Sequence, residues 1–341
     1  MARLSQVALV ALAVALVPLT VSAARDDCPA DPYADPSTDT CNPLRYVPNE
    51  AVNIVAAVLY FLTAAALTYR QIRQPANFFL CLVIGAWCEG IGLAIRLGLR
   101  NNLHSTGLYI AMYLFVVLSP CAFLAGNYIL LGRLVAHLEG DRYLRPFKPR
   151  LVSWIFIISD VITFFIQAAG GGLSISDNVK TAQAGGNIFL AGIAAQMASF
   201  ILFSSLWAVF AFRIHRGDRA LWDLRWWRPL HYAMGFTCIC FVIRSVYRTV
   251  ELSQGYIGFL ATHERYFLGL DTLPLWLGIN TYVFFWPGAY LTPEHKVQKV
   301  ETTEVGMEEA GNAGGSEMAV ADPETRSSSK EGEELGAPIR L

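Results

Sequence analysis

The fold this sequence predicts is all-α: a polytopic membrane protein built as a seven-transmembrane-helix bundle, N-terminus outside and C-terminus cytoplasmic. Three observations predict it. The 341 residues are 54% apolar and 16% charged, where a soluble domain carries about 25% charged residues. Its 8 Trp, 14 Tyr and 20 Phe outnumber the 27 acids, and mean hydropathy is +0.41. Seven stretches approach the ~20 apolar residues that a span requires, at residues 52–69, 78–99, 108–131, 151–173, 188–212, 230–252 and 267–291. A formal net charge of −1 excludes nucleic acid as a bulk electrostatic partner.

In chain order, Arg3 supplies a positive n-region and residues 7–17 the apolar core of a signal peptide over 1–23. Pro18 breaks that helix, and Val21-Ser22-Ala23 fits a small-residue cleavage pattern, so cleavage is expected after Ala23. An uncleaved signal anchor is the competing reading. Residues 24–49, rich in Asp and Pro, then form an extracellular segment. Cys28 and Cys41 either close a small loop there, as an oxidising compartment allows, or remain two free thiols. Cys81, Cys88, Cys121, Cys238 and Cys240 fall in apolar stretches and read as packing residues.

The membrane domain is expected over 50–291, oriented by the basic residues of its loops. After the first, third and fifth stretches come Arg70 and Arg73, then Arg133, Arg142, Arg145, Lys148 and Arg150, then Arg213, Arg216, Arg219, Arg225 and Arg228. The opposite side has Arg25, Arg45, Arg100, Lys180 and Arg265. Trp222, Trp226 and Trp227 interleave with the last basic set, a mixture that suits a segment at headgroup level. Residues 292–341 hold eleven acids against five bases, which leaves this tail at −6 and the remainder at +5. The tail is expected to be disordered, acidic and cytoplasmic. With the basic loops, it offers a surface to a cytoplasmic partner.

Polar residues inside the spans carry the functional information. An ionised group at the bilayer centre costs about 2.5–3.5 kcal/mol on insertion scales, so such groups face the bundle or a cavity. Glu89 and Arg96 lie seven apart on one face of the second span, and Asp160 and Gln167 repeat that spacing on the fourth. Arg244, Arg248 and Glu251 fall at i, i+4 and i+7 of the sixth. Asp271 opens the seventh, with Glu264 just before it, while Asn127 and Gln196 sit in the third and fifth. The expected orientation gathers these charges in the outer half, with Glu89 and Asp160 near the midplane. Two roles stand open. Pairs of Arg96, Arg244 or Arg248 with Glu251, Glu264 or Asp271 clamp helices together, or the group forms a substrate path in which Glu89 and Asp160 serve as counter-ions or proton carriers.

No catalytic residue, cofactor or metal is expected. There is no G-x-x-x-x-G-K, no span carries a lysine for a Schiff base, and no two histidines share metal-ligand spacing. The Gly170-Gly171-Gly172 run reads as a flexible exit from the fourth helix.

The strings CEGIGLAIR at 88–96, SDVITFFIQAAGGGL at 159–173 and IRSVYRTVELSQGYIGFLATHE at 243–264, with Tyr46-x-Pro48 and Asn53 before them, resemble the fungal lipid-translocating exporter family. These are seven-span proteins of the 7-aminocholesterol-resistance and sphingoid long-chain-base release type. The similarity covers residues 46–291, and Ser159 stands where the family has Gly. Matching positions are Glu89, Gly92, Arg96, Asp160, Gln167, Gly170, Gly171, Arg244, Arg248, Glu251, Gly255, Glu264 and Asp271. The resemblance implies translocation or release of amphiphilic lipids across a fungal membrane, conferring resistance. Sphingoid long-chain bases and sterol-like or cationic amphiphilic drugs are the implied cargo. The plasma membrane is the first expectation, ahead of the vacuolar or endoplasmic reticulum membrane. Membrane lipids and amphiphilic small molecules are the implied partners, and the protein is not an enzyme. The alternative is a seven-helix lipid or stress sensor that acts through its cytoplasmic loops and tail.

Overall fold

A computed structural model describes residues 31–292 apart from 32, 37, 38, 40, 43, 145–147, 175, 177, 256 and 257. The expected signal peptide, Cys28 and the tail from residue 293 lie outside the described residues. The described chain is helical, with no strand among the described residues. Six helices are long and apolar enough to cross a membrane, which makes this a multi-pass membrane protein. They are α1 (Glu50–Arg73), α2 (Leu80–Asn101), α3 (Thr106–His137), α4 (Pro149–Leu173), α5 (Val179–Gly217) and α6 (Arg228–Ser253).

The seventh apolar stretch is helical in pieces. A short turn, Glu264–Tyr266, leads into a π-helix, Phe267–Thr272, and then into α7 (Leu273–Phe284). Pro274 lies in the first turn of α7, where its missing N–H breaks no α-helical bond. The wider π turn comes just before it.

Polar caps and prolines set the helix starts. Asn49 accepts from the Val52 amide at 3.2 Å, Ser105 from Leu108 at 3.4 Å and Asn178 from Lys180 at 3.0 Å. Pro149 and Pro229 occupy first turns. Pro120 lies inside α3 and gives the Val116 carbonyl no donor.

Each long helix packs on the next, and α7 packs on α1, so the bundle closes into a ring. Its polarity suits lipid. Val55, Val58 and Leu62 of α1 and Ile158, Ile162 and Phe165 of α4 face outward, whereas Asn53, Glu89, Asn127 and Asp271 are fully buried. A hydrocarbon solvent asks only that the outer face be apolar.

One local expectation is corrected. Helix α4 continues through Gly170–Gly172 to Leu173, so the glycine run is not a flexible exit. A Cβ on Gly170 would lie 2.5 Å from the Phe189 amide nitrogen. The run therefore lets α4 and α5 meet backbone to backbone, and any side chain at 170 would push them apart. Trp227 is fully buried within the segment expected at headgroup level. Its indole donates to the Leu221 carbonyl at 3.0 Å, and its ring packs edge-on against Trp222 and near His231.

Candidate functional site

Residues 31–49 fold over one end of the ring. The Tyr33 hydroxyl donates to the Arg100 carbonyl at 3.0 Å, and Arg100 donates to the Pro48 carbonyl at 2.6 Å. His104 Nε2 meets the buried Asp39 carboxylate at 2.7 Å. Leu44 packs on Leu99, Met112 and Val116. Cys41 is disulfide-bonded, while Cys28, its expected partner, lies outside the described residues.

Beneath this cover, helices α2 and α6, the Glu264–Tyr266 turn and the π-helix bring six charges together. Arg96 of α2 donates to the Tyr46 hydroxyl and lies 3.4 Å from Glu264. Glu264 also accepts from the Asn53 side chain at 2.6 Å and from the Asn49 amide at 2.8 Å. Burial raises the Tyr46 phenol above its ordinary range, with Arg96 pulling the other way, so Tyr46 serves Arg96 as a neutral oxygen.

Asp271, on the π-helix, takes the Arg248 guanidinium as a fork, with Nε at 2.8 Å and Nη2 at 2.9 Å. Arg244 lies 3.0 Å from the same carboxylate. The remaining Arg248 nitrogen, Nη1, donates to Glu251 at 3.1 Å. One ring, Phe267, serves two cations: Arg96 Cζ lies 4.3 Å and Arg248 Cζ 5.2 Å from its centroid. Three arginines thus meet three carboxylates, and the buried charge balances. That balance matters, because an unpaired charge here costs several kcal/mol.

Of the residues singled out from sequence, Arg96, Arg244, Arg248, Glu251, Glu264 and Asp271 are therefore brought together. Gln167, Asp160 and Glu89 make none of these ion pairs. Gln167 donates to Gln196 at 2.9 Å, and Gln196 donates to the Cys121 sulfur at 3.2 Å. Asp160 accepts from the Tyr128 hydroxyl at 2.9 Å through Oδ2, while its Oδ1 has no partner. Glu89 is fully buried, beside the Ser119 hydroxyl of α3 and within reach of the charges of Asp271, Arg244 and Arg248.

Two cavities open on the cluster. The larger, about 80 Å³, has Tyr46, Arg96, Tyr109, Tyr113, Arg248 and Glu251 in its wall. The smaller, about 20 Å³, has Tyr113, Gln167, Gln196, Met197, Arg244 and Arg248. Glu89 and Asp160 are in neither wall. Guanidinium, carboxylate, phenol and amide groups beside apolar walls suit the polar head of an amphiphile; the larger space approaches that of a small headgroup, and the smaller holds little more than a water until its walls part. Sequence reasoning gave no role to Tyr113, Phe267 or Tyr128. The Tyr109/Tyr113 pair, four apart on α3, was the one signal for a tyrosine-lined face.

The family model described as RTA1 like protein matches residues 82–294. The sphingoid long-chain base transporter RSB1 of Saccharomyces cerevisiae is 27% identical over 280 residues, covering 71% of this chain and 72% of that protein. Protein RTA1 of the same species is 29% identical over 223 residues, covering 65% and 69%. Protein RTM1, also from Saccharomyces cerevisiae, is 28% identical over 214 residues, covering 62% and 68%. No solved structure matches the chain.

Proposed function

The chain belongs to the RTA1-like family, and on that footing we propose that it moves amphiphilic lipids across a fungal membrane as a transporter, not an enzyme. Sphingoid long-chain bases and cationic or sterol-like amphiphilic drugs are its proposed cargo. The observation that carries this reading is the pair of cavities built on a charge-balanced arginine–carboxylate cluster inside a lipid-facing ring. A headgroup that enters a bundle must exchange water for fixed polar partners, and the cluster supplies them without unpaired charge. The printed function of RSB1, a sphingoid long-chain base transporter, supports the substrate class.

The proposed protein spans the plasma membrane seven times, with the composite helix from Glu264 to Phe284 as its last crossing. Its cover segment is outside and its tail inside. The basic loops favour that orientation. A tag after Leu341 should be reached by antibody only after cells are permeabilised; labelling on intact cells would overturn the topology.

Purified full-length protein in liposomes tests the function. Sphinganine loaded in one leaflet should appear in the other at a rate that rises with protein content. An unchanged rate, together with a cytosolic protein retained by the purified chain, would favour the sensor alternative instead.

A further inference from the structure

The two cavities are stacked along the same pair of helices. On α3 the wall runs from Tyr109 and Tyr113 in the larger cavity to Tyr113 and Val117 in the smaller. On α6 it runs from Glu251 and Arg248 in the larger to Arg248 and Ser245 in the smaller. Each step is about one helical turn, ~5.4 Å. Tyr113 and Arg248 stand in both walls, so these two side chains are the partition.

Arg248 is held in two unlike ways. Asp271, fully buried and in neither cavity wall, grips it as a fork at 2.8 and 2.9 Å. Glu251 faces the larger cavity, keeps 10% side-chain exposure and makes one contact at 3.1 Å. The guanidinium can therefore leave Glu251 and keep its fork on Asp271. A second cation that reaches Glu251 from the larger cavity replaces Arg248 charge for charge. No carboxylate is then left unpaired at any stage, and the one excess positive charge, four cations on three carboxylates, makes the amine-bound state costlier than the resting cluster and favours onward release of the amine. The rings of Tyr46, Tyr109 and Tyr113 beside the path favour a cation over a neutral head.

We infer that Arg248 is the gate between the two cavities and that the ammonium group of an amphiphile opens it by taking over Glu251. The inference rests on the transport reading and deepens it. Amphiphiles with a protonated amine pass Arg248, while uncharged counterparts stop in the larger cavity. Glu251 is the residue that sets specificity, and Arg248 is a positioning residue held ready by Asp271.

The test uses the full-length protein in liposomes and two photoprobes. One is a C18 2-amino-1,3-diol with a diazirine next to its headgroup; the other is the same molecule N-acetylated. Crosslinks are mapped by mass spectrometry, and probe transport is followed in the same vesicles. The amine probe should mark both Leu252, in the wall of the larger cavity, and Met197 and Ser245, in the wall of the smaller. The acetylated probe should mark Leu252 alone. In E251Q the amine marks at Met197 and Ser245 should fall by more than about tenfold, because truncating one member of a buried charged contact costs at least that much. E251D keeps the charge and should keep the amine preference.

Equal marking of Met197 and Ser245 by both probes overturns the gate, and so does amine marking that survives E251Q. Should E251Q fail to accumulate, E251D and the two-probe comparison on the unaltered protein decide alone. Amine transport without marks beyond Arg248 overturns the gate but leaves the transport reading standing. Absence of both overturns the transport reading itself.

Discussion

Asp271→Asn should be the most damaging single substitution in the bundle. Asp271 is wholly buried and holds two arginines, Arg248 through a fork and Arg244 at 3.0 Å. Asparagine keeps the volume but removes the charge, and it turns one of the fork's two acceptors into a donor. Glu251 then remains the one acid still touching Arg248, and Arg244 loses its ion pair. Leaving such a buried charge uncompensated costs about 3–5 kcal/mol, a large share of the ~5–15 kcal/mol that ordinarily separates folded from unfolded protein. Accumulation at the membrane should collapse, and the surviving fraction should melt well below the unaltered protein on size-exclusion chromatography after heating. Adding Arg244→Gln restores the charge balance and should recover part of the loss. A single variant that accumulates and melts normally would show that the cluster clamps nothing.

Much of this cluster was legible in the sequence, because ionisable residues in apolar runs have few explanations. The six long helices follow from hydropathy alone. Arg244, Arg248 and Glu251 follow from the helical period, and the Arg248–Glu251 contact at i, i+3 is a direct consequence of it. The choice of partner across helices was not legible. Asp271 reaches α6 from a π-helix, and a π turn adds a residue and rotates everything that follows relative to an α-helical count. No periodicity argument sets that rotation in advance. The same limit hid Phe267, whose role depends on where two guanidiniums from different helices arrive. The glycine run was misread for another reason. Flexible exits and close helix contacts both need a missing Cβ, and the difference lies in the neighbour, here the Phe189 backbone. The burial of Trp227 was not legible either, because it depends on its indole reaching the Leu221 carbonyl inside the fold.

Glu89→Gln should separate chemistry from support in the opposite sense: full expression, little transport. Glu89 lies seven residues before Arg96 on α2, about 10 Å along the axis at 1.5 Å per residue. Its carboxyl is completely buried, beside the Ser119 hydroxyl of α3 and within reach of the charges of Asp271, Arg244 and Arg248. It makes none of the ion pairs that hold the cluster together, and a buried acid so placed is a candidate for moving charge. Glutamine keeps the shape and removes an ionisable group whose charged form would cost ~2.5–3.5 kcal/mol at the bilayer centre. Surface levels should be equal to or above those of the unaltered protein. Sphinganine transport per molecule should fall at least about tenfold, equivalent to ~1.4 kcal/mol. Asp160→Asn is the internal comparison. Tyr128 donates to Oδ2 of Asp160 at 2.9 Å, an asparagine carbonyl can accept the same bond, and Asp160, unlike Glu89, has no charge of the cluster acting on it. That variant should keep both expression and transport. If Glu89→Gln instead loses expression in step with transport, Glu89 is structural. If it loses neither, Glu89 is a bystander, and the path for charge runs through Glu251 and Arg248 alone.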